Sequence, residues 1–329
     1  MTTSRDRILE LFRQRSDSYV SGEEICRGLG ISRTAVWKQI RQLRELGYEI
    51  EAVPSKGYAL RSTPDTLISA EVIADLGTTV VGRDIVFLPQ TDSTNLQARL
   101  LAEQGAVDGT VIIADQQSSG KGRMGRYWIS PKGVNLYLSI VLRPDIQLRH
   151  ATQMTFLTAV AVAETIESCG SFAPQLKWPN DVLINGQKVA GLLNELNAET
   201  EQIHYMILGV GVNLNMTADQ FPADLRTPAT SLLLAGGKQI SRLEFARTLL
   251  QKTDQHYTRY LAEGFAPILA AWENRCNMIG KQVEVDYQHS RLIGVVKGVD
   301  EAGALLLTLQ NGSEERVVAG DVKLLPEGN

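Results

Sequence analysis

Two serines, Ser21 and Ser32, each stand immediately before a segment whose apolar residues recur at helical spacing, and Gly28 and Gly30 lie between them. A serine in that place takes the first free backbone amides of a helix, and glycine lets the chain reverse without a steric penalty. The pairing dictates helix, turn, helix. Ser21, with Glu24 three residues on, starts a short helix; Ser32 starts a longer one from Arg33 to Leu46 with Val36, Ile40 and Leu43 turned inward. Ile8, Leu9, Leu11 and Phe12 give the apolar face of a helix in front of both. Gly47 ends the third helix, and Tyr48 to Leu60 alternates like a small hairpin. Together these predict a winged helix-turn-helix over residues 1–62.

The outward face of the third helix carries Arg33, Thr34, Lys38, Gln39, Arg41, Gln42 and Arg44, four cations opposed by Glu45 alone. Simple solvation is the ordinary explanation of such a face. Here the cap, the glycine turn and a wing bearing Lys56 satisfy several requirements for phosphate and groove contacts at once. Ser32, Arg33, Thr34, Lys38, Gln39, Arg41 and Lys56 are therefore the expected DNA contacts. Charge agrees: residues 1–62 hold eleven Lys/Arg against eight Asp/Glu, a net +3, whereas the whole chain is −4, which leaves −7 for the rest. Arg61 to Thr66, interrupted by Pro64, reads as a linker.

At 329 residues the chain has room for two or three domains, and 43% hydrophobic with 21% charged residues excludes a disordered protein. The longest apolar stretch, Phe156 to Ala163, is far too short to span a membrane, and the first residues have no signal-like apolar region. A cytoplasmic protein with no membrane partner is expected. Cys26, Cys169 and Cys276 lie far apart with no CxxC pair, so they are expected to be buried thiols. None of His150, His204, His256 and His289 falls in a metal or nucleophile motif, so no protein-bound metal site is expected.

From Leu67 to Trp272, strand-like runs (Val111 to Ala114, Leu136 to Leu142, Tyr205 to Val210) alternate with helical ones (Leu96 to Glu103, Met154 to Glu167, Leu243 to Tyr260). Inside this α/β region Gly120-Lys-Gly-Arg-Met-Gly-Arg126 interleaves three glycines with three cations, a loop suited to an anion. Its literal match to the dinucleotide fingerprint fails on context: that loop must open a helix, whereas here Pro131 and Gly133 interrupt the next stretch of chain. A Walker loop fails too, because Arg126-Tyr127 stands where Lys and Ser/Thr are needed. A flexible charged surface loop is the remaining rival. Three further segments weigh against it. Lys177-Trp-Pro-Asn-Asp181 is a rigid polar turn; Val182 to Gly191 reads as a hairpin whose Asn-Gly turn brings Lys188 back beside it, next to the small residues Ala190 and Gly191. Asp92-Ser-Thr-Asn95 precedes a helical stretch, where it serves as an N-cap, a ligand site at a helix N-terminus, or both.

These motifs, with Gly209-Val-Gly-Val-Asn213 after them, occur in the order found in biotin protein ligases, and with the winged helix in front the chain resembles the members of that family that join the ligase to a biotin operon repressor. The resemblance implies an α+β multidomain fold: the winged helix-turn-helix over 1–62, a mixed α/β biotin- and ATP-binding catalytic domain over 67–273, and an SH3-like β-barrel over 277–329. Of the last, the residues alone say only that short strands at Val283, Ile293 and Ala304 make a small β domain. The family relationship further implies that biotin's carboxylate attacks the α-phosphate of ATP, with Mg²⁺, and that a lysine of the biotin carboxyl carrier protein of acetyl-CoA carboxylase then accepts the acyl group. Lys188, Arg123 and Arg126 become the expected catalytic residues. Ser93, Thr94, Asn95, Gln117, Gly120, Lys121, Gly122, Arg123, Trp128 and Lys188 become expected biotin contacts, and Arg123, Arg126, Trp128, Asn180, Asp181, Lys188 and Asn213 expected nucleotide contacts. Operator DNA and, once ligand is bound, a homodimer complete the partners. Relatives commonly read Gly-Arg-Gly-Arg-x-Gly-Arg, so Lys121 keeps the charge of the first arginine but not its two-pronged geometry. Two rivals remain: a biotin sensor without ligase activity, which has no need of Lys188 at the reacting centre, and a lipoate-type ligase, whose motifs differ from this loop and from Lys177-Trp-Pro-Asn-Asp.

Overall fold

The computed structural model describes residues 4–15, 18–200, 202–225, 227–287 and 290–325; His289 lies outside them. The chain divides into two compact units, residues 1–66 and 67–329. In the first, α1 (Ser4–Gln14), α2 (Gly22–Leu29) and α3 (Arg33–Glu45) precede an antiparallel hairpin of β1 (Glu49–Val53) and β2 (Gly57–Ser62). Ile8, Leu9, Phe12, Ile25, Val36, Ile40 and Leu43 meet in its core, as their spacing requires. Both serine caps form: Ser21 Oγ accepts from Glu24 N at 3.1 Å and Ser32 Oγ from Ala35 N at 3.2 Å. Glu24 is drawn outward to Arg15 Nη2 at 2.9 Å. Gly30, at φ 66°, carries the turn out of α2 in the left-handed region.

The second unit is built on a mixed seven-stranded sheet. Along the chain come α4 (Ser69–Ile73), β3 (Ile85–Leu88), α5 (Thr94–Glu103), β4 (Thr110–Ala114), β5 (Leu136–Leu142), α6 (Gln153–Ser168), β6 (Gln175–Lys177), β7 (Asp181–Ile184), β8 (Gln187–Glu199) and β9 (Gln202–Val212). Their order in the sheet is β3-β4-β5-β9-β8-β7-β6, parallel at β3/β4 and antiparallel elsewhere. α7 (Leu232–Gly236), α8 (Arg242–Glu263) and α9 (Ala266–Glu273) come next. Then β10 (Gln282–Tyr287), β11 (Ser290–Val299), β12 (Leu305–Leu309), β13 (Glu314–Val317) and β14 (Asp321–Leu324) form an antiparallel sheet in the order β13-β12-β11-β10-β14. α6 is apolar almost all round because it is buried almost all round, between the large sheet and α8. Phe156 on α6 meets Phe265 and Trp272 edge-on, at ring separations of 5.6 and 4.9 Å.

The periodicity located α5, α6, α8, β4 and β5 but left β3, α9 and the full length of β8 unmarked. The cysteines depart from expectation: all three are free and half-buried rather than fully buried, and burial raises the thiol pKa of Cys169 and Cys276. His256 meets the expectation of an ordinary side chain, since its Nε2 lies 3.0 Å from Glu164 Oε2 between α8 and α6. Among the described residues no helix is long and apolar enough to cross a membrane.

The hydrogen bond from His256 holds the Glu164 carboxyl down to about 2, with help from the charges of His256 and Lys252 and against the opposing effect of burial. A lowered carboxylate stabilises the fold above its unfolded value of 4.5, and that stabilisation is lost as pH falls toward about 2. Glu164→Gln should lower Tm near pH 7 by about 2–4 °C, the response to the ~1 kcal/mol left by a partly screened pair. Melting curves from pH 7 down to pH 2 should show the gap closing; a gap that stays constant would assign the loss to packing.

Candidate active site

A cleft of about 980 Å³ opens over the carboxyl-side glycines of β9 and is walled by the start of α5, the glycine-cation loop, the β7/β8 hairpin and β14. It brings together Ser93, Thr94, Asn95, Gln117, Lys121, Gly122, Arg123, Arg126, Trp128, Asn180, Asp181, Lys188 and Asn213. Gly120, the remaining expected residue of this set, is buried in the root of the loop.

The floor owes its depth to glycine. Gly191 on β8 and Gly211 on β9 are register partners, and the Trp128 ring lies against both. A Cβ at Gly211 would come within 2.5 Å of Trp128 Nε1, and one at Gly191 within 2.9 Å of its Cζ3. Gly209 does the same for Asn95, whose Oδ1 would be 2.2 Å from an added Cβ. The loop itself is a closed hairpin: Trp128 N donates to Gly120 O at 2.8 Å and Gly122 N to Arg126 O at 2.7 Å. Gly120 has no room for a side chain, because a Cβ would sit 2.4 Å from Trp128 O. At the tip Met124 (φ 55°) and Gly125 (φ 73°) turn back, and Met124 and Tyr127 are left in solvent.

Cations crowd one side. Lys188 reaches back from the Asn185-Gly186 turn to pair with Asp181 Oδ1 at 2.5 Å, and its Nζ lies 5.5 Å from the Trp128 ring centroid. Arg123 Nη1 donates to Asn180 Oδ1 at 3.3 Å, and Asn180 Nδ2 to Leu192 O at 2.5 Å. Arg126 is paired with Asp321 at the start of β14, which raises its pKa. Burial lowers the pKa of Arg123, and of Lys177 as well, where neighbouring Lys188 adds to the effect and Asp181 opposes it. A phosphate or carboxylate entering here would relieve both.

On the opposite side Gln117 Oε1 accepts from Thr94 N at 2.8 Å and lies 3.2 Å from Thr94 Oγ1, while its Nε2 donates to Ser130 Oγ at 2.9 Å. Ser93 is the residue before α5 but makes no side-chain cap to it, so the N-cap reading of this segment is not the one realised. Asn213 donates to Thr230 O at 3.1 Å and accepts from Asn135 Nδ2 at 3.3 Å. Beneath, Arg242 Nη1 pairs with Asp115 Oδ1 at 2.7 Å, both side chains largely buried, at the point where β4 leads into the loop.

The sequence reading passed over Lys177, although it stands in the quoted motif, and Asp321, which no local pattern marks because it lies far along the chain from Arg126. It also passed over Trp37, 57% exposed on the outward face of α3 with the Arg41 guanidinium 5.9 Å from its ring centroid. On that face Ser32, Arg33, Thr34, Lys38 and Arg41 are exposed, and Gln39 is half-buried. Lys56, at the hairpin turn, lies 5.6 Å from the Tyr19 ring centroid. Arg44 is exposed as expected, and its guanidinium also donates to Ile50 O at 3.0 and 2.6 Å, fastening α3 to the hairpin.

Gly211→Ala tests the floor. It should leave the melting temperature within a few degrees yet force Trp128 off β9, seen as greater quenching of tryptophan fluorescence by acrylamide. Unchanged quenching would mean that Trp128 does not rest on the glycine.

A profile of the biotin/lipoate A/B protein ligase family matches residues 87–213, a helix-turn-helix domain profile residues 5–59, and a biotin protein ligase C-terminal domain profile residues 278–325. The bifunctional ligase/repressor BirA of Bacillus subtilis is 39% identical over 323 residues, 98% of this chain and 99% of that protein. Its namesake in Escherichia coli is 32% identical over 305 residues, 92% of each. Among solved structures, the biotin protein ligase of Aquifex aeolicus in complex with biotin and ATP superposes with a TM-score of 0.64 at 28% identity, covering 74% of this chain and all of that one. With relatives this similar along nearly its whole length, the chain belongs to the biotin protein ligase family, in its bifunctional ligase/repressor branch.

Proposed function

We propose that this protein is an ATP-dependent biotin protein ligase that forms biotinyl-5′-AMP, passes biotin to a lysine of the biotin carboxyl carrier protein of acetyl-CoA carboxylase, and represses biotin synthesis genes. The observation that carries the reading is the convergence of Lys188, Arg123 and Arg126 on one glycine-floored cleft. In the first step a biotin carboxylate oxygen bonds to the α-phosphorus of ATP and pyrophosphate leaves. Two anions must meet, so the cleft must supply fixed positive charge in a site from which water is largely removed. Lys188 sits at the meeting point and offsets charge as it grows on the α-phosphate, exchanging its partner Asp181 for the ligand. Arg123 and Arg126 hold the phosphates, with Asn180, Asp181 and Asn213 around the nucleotide. ATP enters as its magnesium complex; Asp181 offers one carboxylate, which suits an ion held mainly by phosphate oxygens and water.

Biotin occupies the other side. Ser93, Thr94, Asn95 and Gln117 line that wall with short donors and acceptors that match a ureido ring, Lys121 and Gly122 close the loop over it from its root at Gly120, and Trp128 lies over the ligand chain. In the second step the carrier's lysine nitrogen bonds to the acyl carbon and AMP leaves, so no covalent enzyme nucleophile is needed. With biotin and MgATP the purified protein should biotinylate a carrier domain. Lys188→Ala should bind biotin nearly as well but form the adenylate about a hundredfold more slowly, the effect of losing ~3 kcal/mol of transition-state stabilisation. Single-turnover rates within a few-fold of wild type would make Lys188 structural.

For repression, α3 enters the major groove with Arg33, Thr34, Gln39, Lys38 and Arg41, while Ser32 and Lys56 approach the backbone. One such unit gives too few contacts for a tight site, so the operator is two-fold symmetric and the protein binds it as a dimer when liganded, in the cytoplasm. Any ligand complex that dimerises better also binds DNA better. Footprinting on the protein's own biotin-synthesis promoter at fixed salt should show protection raised by biotin plus ATP. Equal protection without them would remove the coupling, and none in either case would remove the repressor role.

A further inference from the structure

A chain of hydrogen bonds runs through the biotin-side wall, and it begins at a carboxylate with no role so far. Glu195 on β8 accepts from Asn95 Nδ2 at 2.8 Å, and Leu193 O accepts from the same nitrogen at 3.1 Å. Both amide hydrogens of Asn95 are thereby committed toward β8. The opposite orientation would set the amide oxygen against two acceptor oxygens, so the Glu195 carboxyl oxygen, with the Leu193 carbonyl, decides the orientation. Asn95 Oδ1 then faces β5, where Ser139 Oγ lies 2.6 Å away. An amide oxygen only accepts, so the single hydroxyl hydrogen of Ser139 is given to Asn95. Ser139 also touches Thr94 Oγ1 at 2.8 Å, and with its own hydrogen engaged it can only accept there, the shorter of the two contacts open to the Thr94 hydrogen, the other being Gln117 Oε1 at 3.2 Å. Thr94 therefore turns its hydrogen into the wall, and its oxygen is left to the cleft as an acceptor.

The backbone is shaped for this relay. Ser139, Gly209 and Leu193 stand in one row across β5, β9 and β8, and the missing side chain of Gly209 is what lets Asn95 lie across the row. Asn95 and Ser139 are buried, so neither can turn to water for another partner.

We infer that Glu195 is a positioning residue which, through Asn95 and Ser139, fixes Thr94 as a hydrogen-bond acceptor and so makes this point of the cleft select a ligand N–H. The inference rests on the ligase reading, in which a ureido nitrogen of biotin supplies that N–H.

Steady-state kinetics of the full-length protein, with biotin and MgATP each varied in turn, provides the test. Glu195→Ala should raise KM for biotin tenfold or more and leave KM for ATP within threefold. Glu195→Gln, which keeps an oxygen for Asn95 Nδ2, should stay within threefold of wild type on both. If the alanine variant does not fold, Glu195→Met, of similar length, carries the same expectation. A biotin methylated at one ureido nitrogen adds a readout that loss of stability would not move: for one of the two isomers, the penalty seen in wild type should largely disappear in the variant lacking the carboxylate. An unchanged biotin KM, an equal rise in both KM values, a glutamine variant as impaired as alanine, or an undiminished penalty for both methylated isomers would overturn the relay. Wild-type protein that turns over no biotin would instead overturn the ligase reading itself.

Discussion

Burying positive charge without a permanent anion is the constraint on which the rest of the larger unit depends. Lys177 and Arg123 are both disfavoured as cations by their surroundings, while Lys188 and Arg126 are held by Asp181 and Asp321. Each carboxylate keeps a cation paired within the cleft, and in the proposed reaction a phosphate takes its place. The cleft is thus poised for an anionic ligand.

Making that arrangement takes backbone that side chains would obstruct. Gly191, Gly209 and Gly211 lower the centre of the sheet so that Trp128 and Asn95 can lie on it, and Gly120 lets the loop cross its own root. The partners of these residues come from distant stretches of chain: Asp321 from β14, Arg242 from α8 beneath the loop, Glu195 from β8. In the large sheet the antiparallel neighbours β5, β9 and β8 set Ser139, Gly209 and Leu193 in one row. Lys188 of the charged wall and Glu195 behind the hydrogen-bonding wall both stand on β8, so one strand ties the two walls together.

Much of this was legible in the sequence for a definite reason. Serine caps, glycine turns and the Asn-Gly hairpin act within a few residues, so Ser21, Ser32, Asn185 and Gly186 announced their structures locally. The glycine-cation loop and Lys188 were legible because few other purposes call for glycine and cations so closely interleaved. Asp321 was silent, since a lone carboxylate in a strand pattern says nothing of an arginine nearly two hundred residues away. Glu195 was silent too: it alternates as a strand residue should, and only the strand order sets it beside Asn95. Arg44 showed its outward place in its spacing but not its bond, because the Ile50 carbonyl that holds it comes from the hairpin.

The account stands on one chemical species occupying both walls of the cleft. Protein incubated with biotin and MgATP, freed of unbound ligand by rapid desalting and then denatured, can be analysed by mass spectrometry for what it held. Biotinyl-5′-AMP in near-stoichiometric amount is the predicted result, with little in protein lacking Lys188. Release of intact biotin and ATP alone would contradict the account, because it would mean that the cleft binds both molecules without joining them.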